Sequence, residues 1–110
     1  IVPVFNTAPL LEILTKRIMD TLSDRYTLEI IFVDDGSDDA SWQKITAIGK
    51  TYPAVTGIRL ARNMGQFSAT LVGLQHARHD VLVTLDDDLQ HPPEYIPGLL
   101  AKLGEGYDMV

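Results

Sequence analysis

The sequence contains no cysteine, which excludes disulfides and thiolate metal sites. Basic residues are scarce: 9 Lys and Arg stand against 15 Asp and Glu, a formal net charge of −6. A duplex nucleic-acid binder needs a basic face, and so does a protein held on a membrane surface by charge. Nothing here supplies one, so no nucleic-acid partner is expected. No apolar run approaches the roughly 20 residues of a membrane-spanning helix. G-x-G-x-x-G is missing too, which speaks against a dinucleotide cofactor. Apolar residues, by contrast, are plentiful. They make up 45% of 110 residues, ordinary for the core of about one globular domain.

The negative charge is local. Seven acids fall in Asp34-Asp35, Asp38-Asp39 and Asp86-Asp87-Asp88. Without them, 8 acids face 9 bases, so the rest of the chain is close to neutral.

Short apolar runs alternate with helical periodicity. Ile1 to Phe5 reads as a strand. Leu10, Leu14, Ile18 and Leu22 recur at i+4 after Pro9, a helical stripe. Glu29 to Val33 is a β-branched, buried strand, ended by the Asp34–Asp39 stretch. Trp42, Ile45 and Ile48 mark a second helix, Val55–Leu60 a third strand, and Phe67, Leu71 and Leu74 a third helix. Val81–Leu85 reads as a fourth strand. Pro92 and Pro93 suit a first helical turn, where a missing N–H costs little. Ile96, Leu99, Leu100 and Leu103 continue that helix to Gly104. Trp42, Phe67 and Tyr95 fit the stripes and are expected in the core. Ile1 already lies in a strand-like run, and Tyr107-Asp108-Met109-Val110 reads as the start of another strand. The expectation is therefore a piece of a longer chain.

Alternating βαβαβαβα predicts an α/β fold, a parallel sheet covered on both faces. Right-handed crossovers make it a doubly wound, Rossmann-like unit, with expected strand order 3-2-1-4. Ligands of such sheets bind beyond the carboxyl ends of the strands. Those ends are Asn6, Asp34-Asp35 and Asp86–Asp88, so both acidic clusters are expected on one edge.

Asp86 and Asp88 stand at i and i+2, and on an extended chain they point the same way. Two such carboxylates repel unless a cation, a proton or basic groups offset them. Mg²⁺ or Mn²⁺ suits hard oxygen ligands and shares them with substrate phosphates. A solvated acidic loop is the alternative. Asp34 and Asp35 are read as contacts to a base N–H or a ribose hydroxyl, and Asp38 and Asp39 as helix caps. Arg62 is a phosphate contact or a surface ion-pair partner. His91 lies near the acidic site. His76 and His79 sit at a helix end facing solvent.

Four motifs in this order carry a resemblance: Pro3-Val4-Phe5-Asn6, Val33-Asp34-Asp35-Gly36-Ser37, Arg62-Asn63-Met64-Gly65-Gln66 and Leu85-Asp86-Asp87-Asp88-Leu89-Gln90-His91-Pro92-Pro93-Glu94. Together they resemble the inverting glycosyltransferases of family 2, with the GT-A fold, and most of all the polyprenyl-phosphate branch. The resemblance spans essentially all 110 residues. It implies that residues 1–110 are the N-terminal nucleotide-sugar-binding part of a GT-A domain, in three αβα layers, lacking the acceptor half and inactive alone. It implies a nucleotide pocket of Pro3, Phe5, Asn6, Asp34, Asp35, Arg62 and Asp86. Asp86 and Asp88 match the DxD motif, and Gln90 the polar residue after it. That set would hold Mg²⁺ or Mn²⁺ on the nucleotide diphosphate and assist its departure. The donor implied is a nucleotide sugar, a UDP-sugar in preference with GDP-mannose as the alternative, and the acceptor a polyprenyl phosphate. The full-length parent would then act at the cytoplasmic face of the membrane. Two positions depart from the pattern: Thr7, where Glu is frequent, and Asp87, where Ala is frequent. On an extended chain Asp87 points away from its neighbours, so it is not expected to be a ligand.

Three alternatives stand beside this reading. One is transfer to a saccharide hydroxyl, which needs a carboxylate base. Another is a non-catalytic nucleotide-binding module. The third is a phosphohydrolase of the haloacid-dehalogenase type, which also uses Asp-x-Asp with Mg²⁺. That family places its nucleophile after the first strand, whereas the motif here follows the fourth.

Overall fold

The computed structural model describes residues 1–109. Strands β1 (Val2–Val4), β2 (Ile30–Asp34) and β3 (Val55–Arg59) form one parallel sheet in the order β1-β2-β3. Val2 pairs with Phe32, and Phe32 in turn with Gly57. Helix α1 (Ala8–Leu22) joins β1 to β2, and α2 (Ser41–Thr51) joins β2 to β3. After β3 come α3 (Gln66–His76), a 3-10 turn at Pro93–Tyr95, and α4 (Ile96–Leu103).

The alternation of side chains along a strand distributes the core to two layers. Val2, Val4, Ile30 and Phe32 face Leu11, Leu14 and Ile18 of α1 and Ile45 and Ile48 of α2. Ile31 and Val33 face Ala69 of α3. All five β2 residues are buried, as a central strand covered on both faces requires. Each large apolar side chain buried here contributes about 1.5–3 kcal/mol.

The stripe expected on α3 is on the wrong face. Phe67 is 76% exposed and Leu71 is exposed as well, while Ala69 and Gly73 are buried. The helix docks through its smallest residues. A Cβ on Gly73 would stand 2.3 Å from Ile1 Cγ2 and 3.2 Å from Val33 Cγ2, so only glycine lets the helix lie this close. Tyr95 is 70% exposed. It sits in the 3-10 turn between buried Pro93 and Ile96 and faces outward. Trp42 packs against the core as expected.

Val81–Leu85 does not form a regular strand. It makes two backbone contacts with the free side of β1: the Ile1 amine donates to Val83 O (2.7 Å), and Leu85 N to Ile1 O (3.0 Å). The next donor on that side would be Pro3, which has no N–H, so the ladder stops. Tyr107 to Met109 carry no strand either. Val110, the last residue of that expected strand, lies outside the described residues. No helix among the described residues is long and apolar enough to cross a membrane.

Candidate functional site

The loops after β1, β2 and β3 meet at the carboxyl edge of the sheet. A cleft of about 700 Å³ opens there, lined by Phe5, Gly36, Ser37, Asp38, Arg59, Leu60, Ala61, Arg62 and Asn63. Phe5 is 43% exposed. Of the nucleotide-pocket residues expected from sequence, Phe5 and Arg62 line this cleft, and Pro3 is buried within β1. Gly36 has φ +71°, and a Cβ there would meet Asn63 N at 2.5 Å. Glycine thus supplies both the left-handed turn and the close approach of the β2 and β3 loops.

The β1–α1 loop is held by side chains from two other loops. Phe5 N donates to Asp87 Oδ2 (3.0 Å), Asn6 N to Ser37 Oγ (2.9 Å), Thr7 N to Ser41 Oγ (3.1 Å) and Ala8 N to Asp39 Oδ2 (3.2 Å). Asn6 lies in the left-handed region at φ 54°, and its Oδ1 accepts from Asp38 N and Asp39 N. Asp39 also accepts from Ser41 N (2.8 Å); it takes the first N–H of two helices although the cap positions themselves are Thr7 and Ala40. Burial pushes the Asp39 carboxyl up, but hydrogen bonds from Ser41 and Ala8 outweigh that and hold it below the usual carboxylate range. Asp38 contributes its backbone N–H to the loop, and no cap by its carboxylate is formed among the described residues.

Asp34 and Asp35 are buried, at 0% and 3% exposure. Asp35 Oδ1 accepts from Met64 N (2.6 Å) and Oδ2 from Gly65 N (3.0 Å). The carboxylate therefore fixes the turn that starts α3. Asp34 Oδ1 accepts from Ser37 N (3.2 Å). Its Oδ2 accepts no hydrogen bond among the described residues, and Arg59 Nε stands 3.8 Å away. Arg59 also lies over the Trp42 ring at 5.8 Å. Arg62 reaches only Met64 Sδ (3.3 Å) and makes no ion pair among the described residues, so the surface-pairing alternative is not realised.

On the acidic loop, Asp86 Oδ1 accepts from Gln66 Nε2 (2.8 Å), and His91 Nδ1 lies 3.3 Å from Asp86 Oδ2. Asp88 Oδ1 accepts from Gln90 N (3.1 Å) across Leu89, which sits at φ 64°. A bulky residue there is a strained conformation. No group of three or more His, Asp or Glu side chains that could hold a metal occurs among the described residues. Mg²⁺ or Mn²⁺ on a diphosphate takes one or two carboxylates and completes its shell with phosphate and water. Asp86 and Asp88 are hard oxygen donors of that kind.

Thr7 and Asp87, the two departures from the resembled pattern, touch: Thr7 Oγ1 donates to Asp87 Oδ2 (2.7 Å). No sequence pattern pairs these two residues, and Asp87 and Asp88 lie in a turn rather than on extended chain, so the alternation expected there does not apply. Gln66, Ser37 and Ser41 were not singled out for the site. Gln66 has a visible signal, since it closes one of the four motifs and opens a helix.

Fold and edge together define a Rossmann-like α/β unit with its ligand-facing loops at the carboxyl end. The profile of glycosyl transferase family 2 matches residues 1–110, and the chain belongs to that family. It is 44% identical over its whole length to an undecaprenyl-phosphate 4-deoxy-4-formamido-L-arabinose transferase of Shewanella sediminis. It is 42% identical to the protein of the same name from Klebsiella pneumoniae. The chain spans 34% of the length of each. Among solved structures, a mannosyltransferase of Pyrobaculum calidifontis in complex with GDP-Man and Mn²⁺ superposes with TM-score 0.83 at 26% identity. The match covers 96% of this chain and 31% of that one. TarS of S. aureus superposes with TM-score 0.67 at 20% identity, covering 94% of this chain and 19% of its own, a likeness of fold.

Proposed function

We propose that residues 1–110 are the donor-binding part of an inverting glycosyltransferase that moves a sugar from a nucleoside diphosphate, UDP in preference to GDP, to a polyprenyl phosphate. The observation that carries this reading is the junction at the carboxyl edge, where the cleft lined by Phe5 and Arg62 adjoins the loop bearing Asp86 and Asp88. Phe5 offers a ring face to the base. Asp34, whose carboxylate is fully buried, supports the cleft from beneath by holding the Ser37 turn. Asn6 and Asp35 shape the pocket through the loops they hold. Arg62 supplies a guanidinium for phosphate oxygens. Asp86, Asp88 and the Gln90 side chain would hold Mg²⁺ or Mn²⁺, whose charge stabilises the departing diphosphate.

The acceptor oxygen attacks the anomeric carbon as the bond from that carbon to the diphosphate oxygen breaks, which inverts the centre. A polyprenyl phosphate brings an anionic oxygen and needs no general base, whereas a saccharide hydroxyl needs one. The transferase names of the relatives and the GDP-Man and Mn²⁺ complex of the structural neighbour support the donor, metal and acceptor classes. A lipid acceptor implies that the parent protein works at the cytoplasmic face of the membrane.

Calorimetry with UDP, with and without Mn²⁺, tests the reading, and GDP serves as the competing base. UDP is expected to bind more tightly with Mn²⁺, and Asp88→Ala to remove that gain. Equal affinity in the presence and absence of Mn²⁺ would overturn the metal assignment. The 110-residue chain is expected to bind donor without turnover, and robust transfer by it would break the division of labour proposed.

A further inference from the structure

The geometry points to Asp87 as a positioning residue that sets the base end of the donor pocket from the diphosphate end. The proposal rests on the donor reading above. Asp87 Oδ2 accepts from both Phe5 N and Thr7 Oγ1, at 3.0 and 2.7 Å. These two donors flank Asn6, the left-handed residue of the loop. One carboxylate oxygen therefore grips the loop on both sides of its strained point. The other amides of the loop are held from the Ser37–Ser41 stretch. Asp87 is the side chain that ties the loop to the acidic segment.

Its position in sequence gives the tie its meaning. Asp86 and Asp88 flank Asp87 at the same short turn, so the residue that holds the Phe5 loop is bonded directly to the two proposed to face the diphosphate. The Phe5 ring lines the cleft, and its backbone N–H is the group Asp87 holds. A shift of the acidic loop is thus passed through one carboxylate to the residue that faces the base. Hydrogen bonds to a charged acceptor are the stronger kind, and Asp87 is half-buried, which limits screening by solvent.

The test is a set of variants read by UDP titration in the presence and absence of Mn²⁺, and by hydrogen exchange of the Phe5 amide. Asp87→Ala is expected to weaken UDP roughly tenfold in both titrations and to expose the Phe5 amide to exchange. Thr7→Val, which removes one of the two bonds, should cost about threefold, and the double variant should be no worse than Asp87→Ala alone. Asp87→Asn keeps an acceptor oxygen at the same place and should recover most of the affinity, which guards against a simple folding defect. Additive losses, or a loss confined to the titration with Mn²⁺, overturn the proposal, the second because it would make Asp87 a metal ligand. Wild-type protein that binds neither UDP nor GDP overturns the donor reading and the proposal with it. Normal wild-type binding with an indifferent Asp87→Ala overturns the proposal alone.

Discussion

The two acidic stretches have nearly the same composition and opposite situations. Asp34 and Asp35 end a strand buried on both faces, beneath loops whose N–H groups turn toward them. Their carboxylates are structural acceptors, and both oxygens of Asp35 are already taken up by Met64 and Gly65. Asp86 and Asp88 lie on a segment with almost no ladder of its own. Their contacts are a glutamine amide, a histidine ring and one local N–H. A carboxylate surrounded by amides builds the site, and one left near solvent is available to a cation. Local charge density does not separate the two cases. Burial does: Asp34 and Asp35 are sealed beneath their loops, whereas Asp88 is exposed.

That contrast breaks most readily at Asp35. Asp35→Ala strips two part-buried amides of a charged acceptor, and should cost about 3 kcal/mol of stability. Urea unfolding measures it, and a loss under about 1 kcal/mol would place Asp35 with the available carboxylates. Asp88→Ala is the counterpart, expected within about 0.5 kcal/mol of wild type in the same experiment while it removes the Mn²⁺-dependent gain in UDP affinity. The smallest effect is expected at Asp39, an exposed member of the first stretch. Its folded carboxyl lies below its ordinary value of 3.8, so the fold favours the charged form. Its contribution is complete above that ordinary value and is lost as pH falls through the folded one. Below about pH 4 wild type should therefore lose stability more steeply than Asp39→Asn, followed by circular dichroism. Parallel acid curves would remove Asp39 from the group of structural carboxylates.

The architecture was largely legible. Apolar runs and i+4 stripes located β1 to β3, α1 and α2 because those elements bury large side chains at regular spacing. α3 was found but turned, since it docks through Ala69 and Gly73 and hydrophobic periodicity weighs Phe67 and Leu71 above them. Val81–Leu85 read as a strand because its residues suit one. Pro3, on a different segment, stops its ladder, and a pattern read one segment at a time does not register a missing partner. At the site, topology put the acidic clusters on one edge, but strand alternation does not govern the turn that carries Asp87. What that residue holds required two loops about 80 residues apart to be seen together.

The Phe5–Ala8 loop carries a kinetic consequence. Its four holding contacts span sequence separations of 82, 31, 34 and 31 residues. Such contacts repay the entropy of closing long loops only after the sheet has brought their ends together. The pocket is therefore assembled on the downhill side of the folding barrier. Ser37→Ala and Asp87→Ala should speed unfolding in stopped-flow denaturant jumps and leave the folding rate almost unchanged. A slowed folding limb would mean that the loop closes with the nucleus. Late closure would let residues 5–8 vary in sequence without obstructing the route by which the sheet forms.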